Sequence, residues 1–134
     1  MTEHAYIDPP GMPEDERMTD AELKVVREFL GVTGDWLADH LGVSPRTVRH
    51  WEQGKYPIPD GVRLTIENLE ATAAQQVSAA IELLNDAPDA AMAIPRTEAD
   101  CPPECPWPPS WHRAVAARIA QEVPGLSIVY SDQT

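Results

Sequence analysis

The chain has 134 residues and a formal net charge of −12, a length suited to one modest domain with an appendage or to two very small interdependent units. This acidic composition argues against a protein that covers nucleic acid without sequence preference, because Lys and Arg side chains supply nearly all nonspecific affinity for phosphate. No apolar run approaches the length of a membrane span, and the N-terminus lacks the basic and hydrophobic regions of a signal peptide, so we expect a cytoplasmic protein without membrane contact.

The N-terminal segment predicts a flexible acidic tail followed by a helix. Residues 1–17 hold three prolines and five acidic side chains with little apolar content. Met18 offers a translation start that is an alternative to Met1. Thr19 and Glu22 have the spacing of a capping box, which is typical of a helix start. We expect this helix to bury four apolar side chains, Leu23, Val26, Phe29 and Leu30.

Two short helices joined by a tight turn are predicted over residues 34–41 and 45–53. Gly42 suits the turn because glycine adopts positive φ at little cost. Ser44 as N-cap and Pro45 at the first helical position indicate the start of the second helix. On that helix Val48 and Trp51 share the inward face, and the outward face carries Pro45, Arg46, Arg49, His50 and Gln53.

Small, turn and anchor residues lie at fixed offsets in these helices, namely Ala38, Gly42-Val43-Ser44, Thr47-Val48 and Trp51-Glu52-Gln53-Gly54. At these positions the chain resembles the Xre/Cro family of helix-turn-helix DNA-binding domains, which includes the lambda-type phage repressors. The resemblance covers residues 19–70. The chain departs from the family at Gly34, where many members carry a Gln that contacts the DNA backbone.

The resemblance implies two sets of DNA-contacting residues. Four side chains of the second helix are expected to contact base edges in the major groove, namely Pro45, Arg46, Arg49 and His50. Because Arg can bond both O6 and N7 of guanine, we expect at least one guanine in each half-site. Five more are expected to contact the DNA backbone, namely Thr33, Ser44, Thr47, Gln53 and Lys55. The alternatives are solvated surface charges for the first set, and ordinary capping and surface placement for the second.

A long helix is predicted from Gly61, capped by Asp60, to Asn85. Its apolar residues recur at three and four positions, close to a heptad seam, and comprise Ile66, Leu69, Ala73, Val77, Ala80, Ile81 and Leu84. The first half of this helix is expected to pack on the DNA-binding domain. Two alternatives remain for the second half, namely self-association through Ala73 to Leu84 or folding back within the chain.

The C-terminal third predicts a strand-helix-strand unit after a proline-rich linker. Residues 86–109 hold seven of the fourteen prolines, so no helix can continue through this stretch. It leaves room for a short strand at residues 90–94. Ser110 is expected to cap the next helix, and Leu126 to Tyr130 favours a second strand. The buried stripe of that helix is expected to be Trp111, Val115, Ile119 and Val123. Two strands and one helix are too little to be stable alone, so we expect this unit to pack on the long helix or to pair with a second copy in a dimer.

Cys101 and Cys105 leave three alternatives open, namely free thiols, a disulfide or redox switch, and a metal site with Glu104 and His112 nearby. Structural zinc usually takes four ligands, and only one cysteine pair is present, so we predict no metal and no cofactor. The histidines are dispersed, and the sequence shows neither a nucleophile–base set nor a glycine-rich phosphate loop. We therefore predict that the protein is not an enzyme.

We interpret the chain as mainly α, with a five-helix lambda repressor-like helix-turn-helix domain within residues 18–85 and a small C-terminal strand-helix-strand appendage. The expected function is sequence-specific transcriptional regulation, as a repressor by the resemblance, through a homodimer bound to an inverted repeat in double-stranded DNA. The alternative is a protein-interaction adaptor, such as an antitoxin or phage regulatory factor, that binds a protein partner through its C-terminal unit.

Overall fold

A computed structural model describes residues 17–133 of the chain. The predicted tail therefore lies outside the described residues except for Arg17. The described chain is mainly α-helical, with five α-helices and one parallel two-stranded sheet near the C-terminus, which confirms the predicted fold class. Its contacts divide it into two units, Met1–Glu70 and Ala71–Thr134. None of the described helices is both long and apolar enough to cross a membrane.

Helix α1 spans Asp20–Leu30 and begins at the predicted capping box. Thr19 Oγ1 accepts a hydrogen bond from the Glu22 amide at 3.0 Å, and Glu22 Oε1 accepts one from the Thr19 amide at 2.8 Å. Leu23 and Leu30 are buried, as predicted. The expected burial of Phe29 is wrong, because its side chain is 57% exposed. At 3.6 residues per turn, Phe29 lies about 120° around the helix from Leu23, beyond the face that meets the core.

Three further helices complete the first part of the chain, namely α2 over Gly34–Leu41, α3 over Pro45–Glu52 and α4 over Asp60–Leu84. The fifth predicted helix lies after the proline-rich stretch, so residues 18–85 hold four helices and not five. The core of the first unit is formed by buried side chains from all four helices and from the loops between them, including Leu23, Leu30, Val32, Leu37, Ala38, Val48, Trp51, Ile58, Val62 and Ile66.

Asp60 does not cap α4 as predicted. It is the first residue of the helix and is 1% exposed, and its carboxylate oxygens accept no hydrogen bond from the described residues. Instead, Oδ1 of Asp60 lies 3.5 Å from Nε of Arg17. The carboxylate therefore forms an ion pair, which offsets part of the cost of burying a charge.

The second unit contains a β-α-β arrangement. Strand β1 spans Ala91–Ile94, helix α5 spans Pro109–Glu122 and strand β2 spans Ser127–Tyr130. The two strands pair in parallel, with Met92 opposite Ile128. A parallel pair needs a long crossover, and the segment that contains α5 provides it. The predicted strand-helix-strand order is therefore present, with β1 inside the expected segment 90–94.

Helix α5 begins two residues earlier than predicted. Its N-cap is Pro108, which offers no side-chain hydrogen bond, and Pro109 occupies the first helical position, so Ser110 is not the cap. Proline fits that position because its fixed φ suits a helix and its missing N–H would have no helical partner. The buried stripe is as predicted, with Trp111, Val115, Ile119 and Val123 all buried.

The second half of α4 packs inside the second unit. Ala73 and Val77 are buried, and Ile81 and Leu84 are half-buried. Trp111 Nε1 donates a hydrogen bond to Gln76 Oε1 at 2.8 Å, which ties α5 to this part of α4. The seam predicted from Ala73 to Leu84 is thus largely covered by its own chain, which favours folding back over an open self-association surface.

Candidate nucleic-acid interface

The α2–α3 pair is shaped by hydrogen bonds at each helix start and by a glycine between them. Thr33 Oγ1 accepts a hydrogen bond from the Trp36 amide at 3.0 Å and caps α2. Gly42 adopts a φ of 74°, a left-handed conformation that ends α2 and favours glycine. Ser44 Oγ accepts a hydrogen bond from the Thr47 amide at 3.2 Å and caps α3. These short-range features fix where α3 begins and which of its faces reaches the core.

The outward face of α3 carries two basic side chains. Arg46 and Arg49 are exposed, and because they lie three positions apart they project from the same side of the helix. Pro45 precedes them and is also exposed, and Gln53 and Lys55 are exposed just after the helix. This surface can present guanidinium and ammonium donors to an acidic partner without disturbing the core.

The prediction that His50 faces outward is wrong. Its side chain is 8% exposed, and its ring lies 5.4 Å from the ring of Tyr56 at an angle of 56°. His50 follows the buried Thr47 by three positions and so lies at the margin of the inward face, where the loop after α3 covers it. The base-contacting set predicted from the sequence therefore loses His50 and keeps three exposed residues.

Thr47 is also placed differently from the prediction. It is 2% exposed, and its Oγ1 lies 2.9 Å from Oγ of Ser44, within hydrogen-bonding distance. Ser44 itself is half-buried and accepts the amide hydrogen bond of Thr47. Both hydroxyls serve the helix cap, because the first turn of α3 lacks internal partners for its amides. Of the residues predicted to contact the DNA backbone, Thr33, Gln53 and Lys55 are exposed.

An ion pair between α1 and α3 was not predicted from the sequence. Arg27 Nε donates to Glu52 Oε2 at 2.6 Å, Arg27 Nη2 donates to Glu52 Oε1 at 3.0 Å, and Arg27 Nη1 donates to the carbonyl of Val32 at 3.0 Å. The hydrogen bond to Glu52 raises the pKa of Arg27 more than burial lowers it. Arg27 therefore balances the negative charge of Glu52. The positive charge on the outward side of α3 is not offset by that carboxylate.

Trp36 and His40 form a second contact near this surface. Their rings stack at a centroid distance of 5.0 Å and an angle of 11°, one turn apart on α2. Trp36 is half-buried, and His40 is exposed. The i,i+4 spacing of two aromatic residues on a predicted helix was a signal that could have identified this pair.

The cysteines lie in the second unit. Both are free and half-buried, and Sγ of Cys105 lies 3.3 Å from Nε2 of His112. Within residues 17–133, no group of three His, Cys, Asp or Glu side chains is placed to hold a metal ion.

Two comparisons relate this chain to known proteins. The chain is similar to a protein named Aca2 repressor from Pectobacterium phage ZF40, with 33% identity over 70 residues. These residues are 52% of this chain and 60% of the relative, so the match covers less than two thirds of that protein. The family model described as Aca2/YdiL-like matches residues 18–99, which is more than half of the chain. The chain therefore belongs to the Aca2/YdiL-like family.

Proposed function

We propose that the protein is a transcriptional repressor that binds a specific DNA sequence through the outward face of α3, as the second helix of a helix-turn-helix motif of the Xre/Cro type. The regulatory role is supported by the name of the similar phage protein, Aca2 repressor. The single observation that carries the DNA-binding role is the exposed pair Arg46 and Arg49 on a short helix whose opposite side is anchored by the fully buried Trp51. The protein would act in the cytoplasm.

Arg46 and Arg49 are the residues that would read bases. A helix of this size fits the major groove, and an Arg side chain can donate two parallel hydrogen bonds to one guanine. Each such contact discriminates a base pair by about 1–3 kcal/mol. Pro45 lies at the N-terminal end of the same face, where it can meet the apolar edge of a base.

Lys55, Gln53 and Thr33 would contact the phosphate backbone and fix the position of α3 in the groove. Lys55 and Gln53 are exposed at the end of α3, and Thr33 is exposed at the start of α2. The molecule is acidic overall, with a net charge of −12, so the affinity for random DNA should be low and should fall further as salt rises.

A homodimer bound to an inverted repeat is part of this proposal. Two copies of α3 would enter successive major grooves, about 34–36 Å apart. One short helix with two arginines reads too few base pairs to select a site alone, and a two-fold arrangement doubles that number. The second unit would join the copies, since its parallel sheet has only two strands among the described residues, and a sheet of this size is marginal alone.

A protein-interaction adaptor remains the second candidate function. It is favoured by two apolar side chains exposed in the second unit, Leu83 at 80% and Ile128 at 39%. Such side chains can belong to a surface that binds a protein partner. The adaptor function predicts capture of that partner by the second unit regardless of Arg46 and Arg49.

The test is to measure binding of the full chain to duplexes selected from a random library, at stated salt. Arg46→Ala should relax sequence preference, whereas Lys55→Ala should weaken all sequences alike and lower the salt slope of the dimer by about two, one for each copy of Lys55. Arg113→Ala removes an exposed arginine of α5 and is the matched control. If Arg46→Ala and Arg113→Ala bind with the same preference as the unaltered chain, the proposed docking is wrong.

A further inference from the structure

Cys101, Cys105 and His112 lie in or just after the segment that leads into α5. Cys105 Sγ lies 3.3 Å from Nε2 of His112. Cys101 Sγ lies 3.8 Å from the carbonyl oxygen of Trp107 and 3.8 Å from that of Thr97. Between the cysteines, the Cys105 amide donates to the carbonyl of Pro102 at 2.9 Å, which closes a reverse turn. This turn keeps Cys101 and Cys105 on one short, folded segment.

The His112 ring lies beside Cys105, and its burial favours the neutral form of the ring. Burial lowers the pKa of His112, and a hydrogen bond with the Trp107 backbone raises it by less. A backbone group that raises the pKa of a histidine is a carbonyl that accepts from a ring N–H. Nε2 is the nitrogen that faces Cys105, and in a neutral ring protonated at Nδ1 it is an acceptor.

The two thiols have different surroundings. Burial raises the pKa of Cys101, and the nearby Cys105, Asp100 and Glu98 raise it further. Cys101 therefore stays a thiol that donates toward backbone carbonyls, whereas Cys105 has a base beside it. Both side chains are half-buried, so a small oxidant can reach them.

We propose that Cys105 is a peroxide-reactive nucleophile with His112 as its base, and that Cys101 resolves the oxidised product into a Cys101–Cys105 disulfide. Both cysteines lie in the second unit, and their oxidation does not depend on DNA binding.

The chemistry is a two-electron oxidation by hydrogen peroxide. His112 Nε2 takes the proton of Cys105, and the thiolate attacks one peroxide oxygen, so that an S–O bond forms and the O–O bond breaks. The departing hydroxide takes the proton back from His112 and leaves as water. The Cys101 sulfur then attacks the Cys105 sulfenic acid, an S–S bond forms, and a second water leaves with the Cys101 proton. Two thiols are oxidised while one peroxide is reduced.

The disulfide would remove both Cys101 hydrogen bonds, to Thr97 and to Trp107. Trp107 stacks on Trp111 at a centroid distance of 4.3 Å and an angle of 12°. Tryptophan fluorescence from this pair should therefore change when the disulfide forms, and it provides a readout in the intact protein.

The test uses the full chain, reduced and then treated with hydrogen peroxide below one equivalent. Peptide mass mapping of the unaltered protein should find oxidation first at Cys105 and then a Cys101–Cys105 disulfide, with loss of two hydrogens in the intact mass. Cys101→Ser should stop at a sulfenic acid that a 1,3-diketone captures. His112→Gln should lower the rate of peroxide consumption at least about tenfold.

His40→Gln is the matched control, because His40 is an exposed histidine of the first unit, and its oxidation rate should equal that of the unaltered chain. Three results would overturn the proposal. The thiols of the folded protein could react no faster than those of the urea-unfolded chain, Cys101 could react first, or purified protein could hold one equivalent of zinc with both thiols unreactive. Peptide mapping of the unaltered chain decides the order of reaction even if a variant fails to fold.

Discussion

Arg27 of α1 and Glu52 of α3 form a bidentate ion pair, with N–O distances of 2.6 and 3.0 Å, across 25 residues of sequence. Both side chains are largely buried, at 14% and 13% exposure. The pair fixes the end of the helix that carries Arg46 and Arg49. A planar guanidinium that meets a carboxylate in this way constrains both orientation and distance, so it determines how α3 presents its outer face.

Replacing Arg27 with Met should destabilise the first unit by about 2–4 kcal/mol, because Glu52 would keep its charge in a poorly hydrated position. Chemical denaturation followed by circular dichroism measures this loss. The control is Arg96→Met in the second unit, which breaks the pair between Arg96 and Asp132, whose side chains are 45% and 37% exposed. That exposed pair should contribute little. Equal losses in the two variants would contradict the role assigned to Arg27.

This ion pair also shows what the sequence could and could not predict. Capping residues and turn glycines act over three or four positions, so the limits of α1, α2 and α3 followed from residue types such as Thr19, Gly42 and Ser44. A partner 25 residues away has no local signal. The burial of His50 likewise depends on Tyr56 in the following loop. The helical period of the sequence predicts which side of α3 faces outward, but it gives no information on a loop that packs against the edge of that side.

Gln76 should stabilise the second unit through its hydrogen bond with Trp111. Gln76→Leu leaves the buried Trp111 N–H without its partner at 2.8 Å, which should cost about 1–3 kcal/mol. Urea denaturation monitored by tryptophan fluorescence measures the change. Gln75→Leu changes the exposed neighbour on the same helix and should have little effect. Equal stability of the two variants would contradict a stabilising hydrogen bond between Gln76 and Trp111.

Gly34 and Gly42 should respond in opposite directions to replacement by Ala. A Cβ on Gly34 would meet Val48 Cγ1 at 3.7 Å, an ordinary contact, so Gly34→Ala should stabilise α2 by up to about 1 kcal/mol. Gly42 has a φ of 74°, where an added Cβ is strained, so Gly42→Ala should destabilise by about 1–2 kcal/mol. Thermal denaturation compares them. The same sign for both changes would contradict the turn geometry described above.

Gly34→Gln tests the departure from the Xre/Cro pattern. The space beside Gly34 admits a side chain, and a Gln amide at the start of α2 could donate to a DNA phosphate. We expect affinity to rise severalfold for all duplexes without a change in preferred sequence. Titration of labelled duplexes with this variant and with Gly34→Ala separates the amide contact from helix stabilisation. Equal affinities would show that the amide makes no contact.

The second unit should lose stability as the pH falls below about 6.5, the ordinary pKa of histidine. Burial lowers the pKa of His112, so the unfolded chain binds a proton at a higher pH than the folded chain does. Stability is therefore complete above the unfolded pKa, declines below it, and stops declining once the folded His112 is also protonated. Urea midpoints from about pH 5 to 7.5 should show this slope, and His112→Gln should flatten it. An unchanged slope in the variant would assign it to another group.

The most direct test of the central claim is selection of duplexes from a random library by the full chain at about 0.15 M salt, followed by sequencing. We predict enrichment of an inverted repeat with at least one guanine in each half-site and half-site centres one helical turn apart. Arg46→Ala should lose preference at one position of each half-site. Recovery of a library with no enriched sequence, from protein shown to be folded, would contradict the claim that α3 reads DNA.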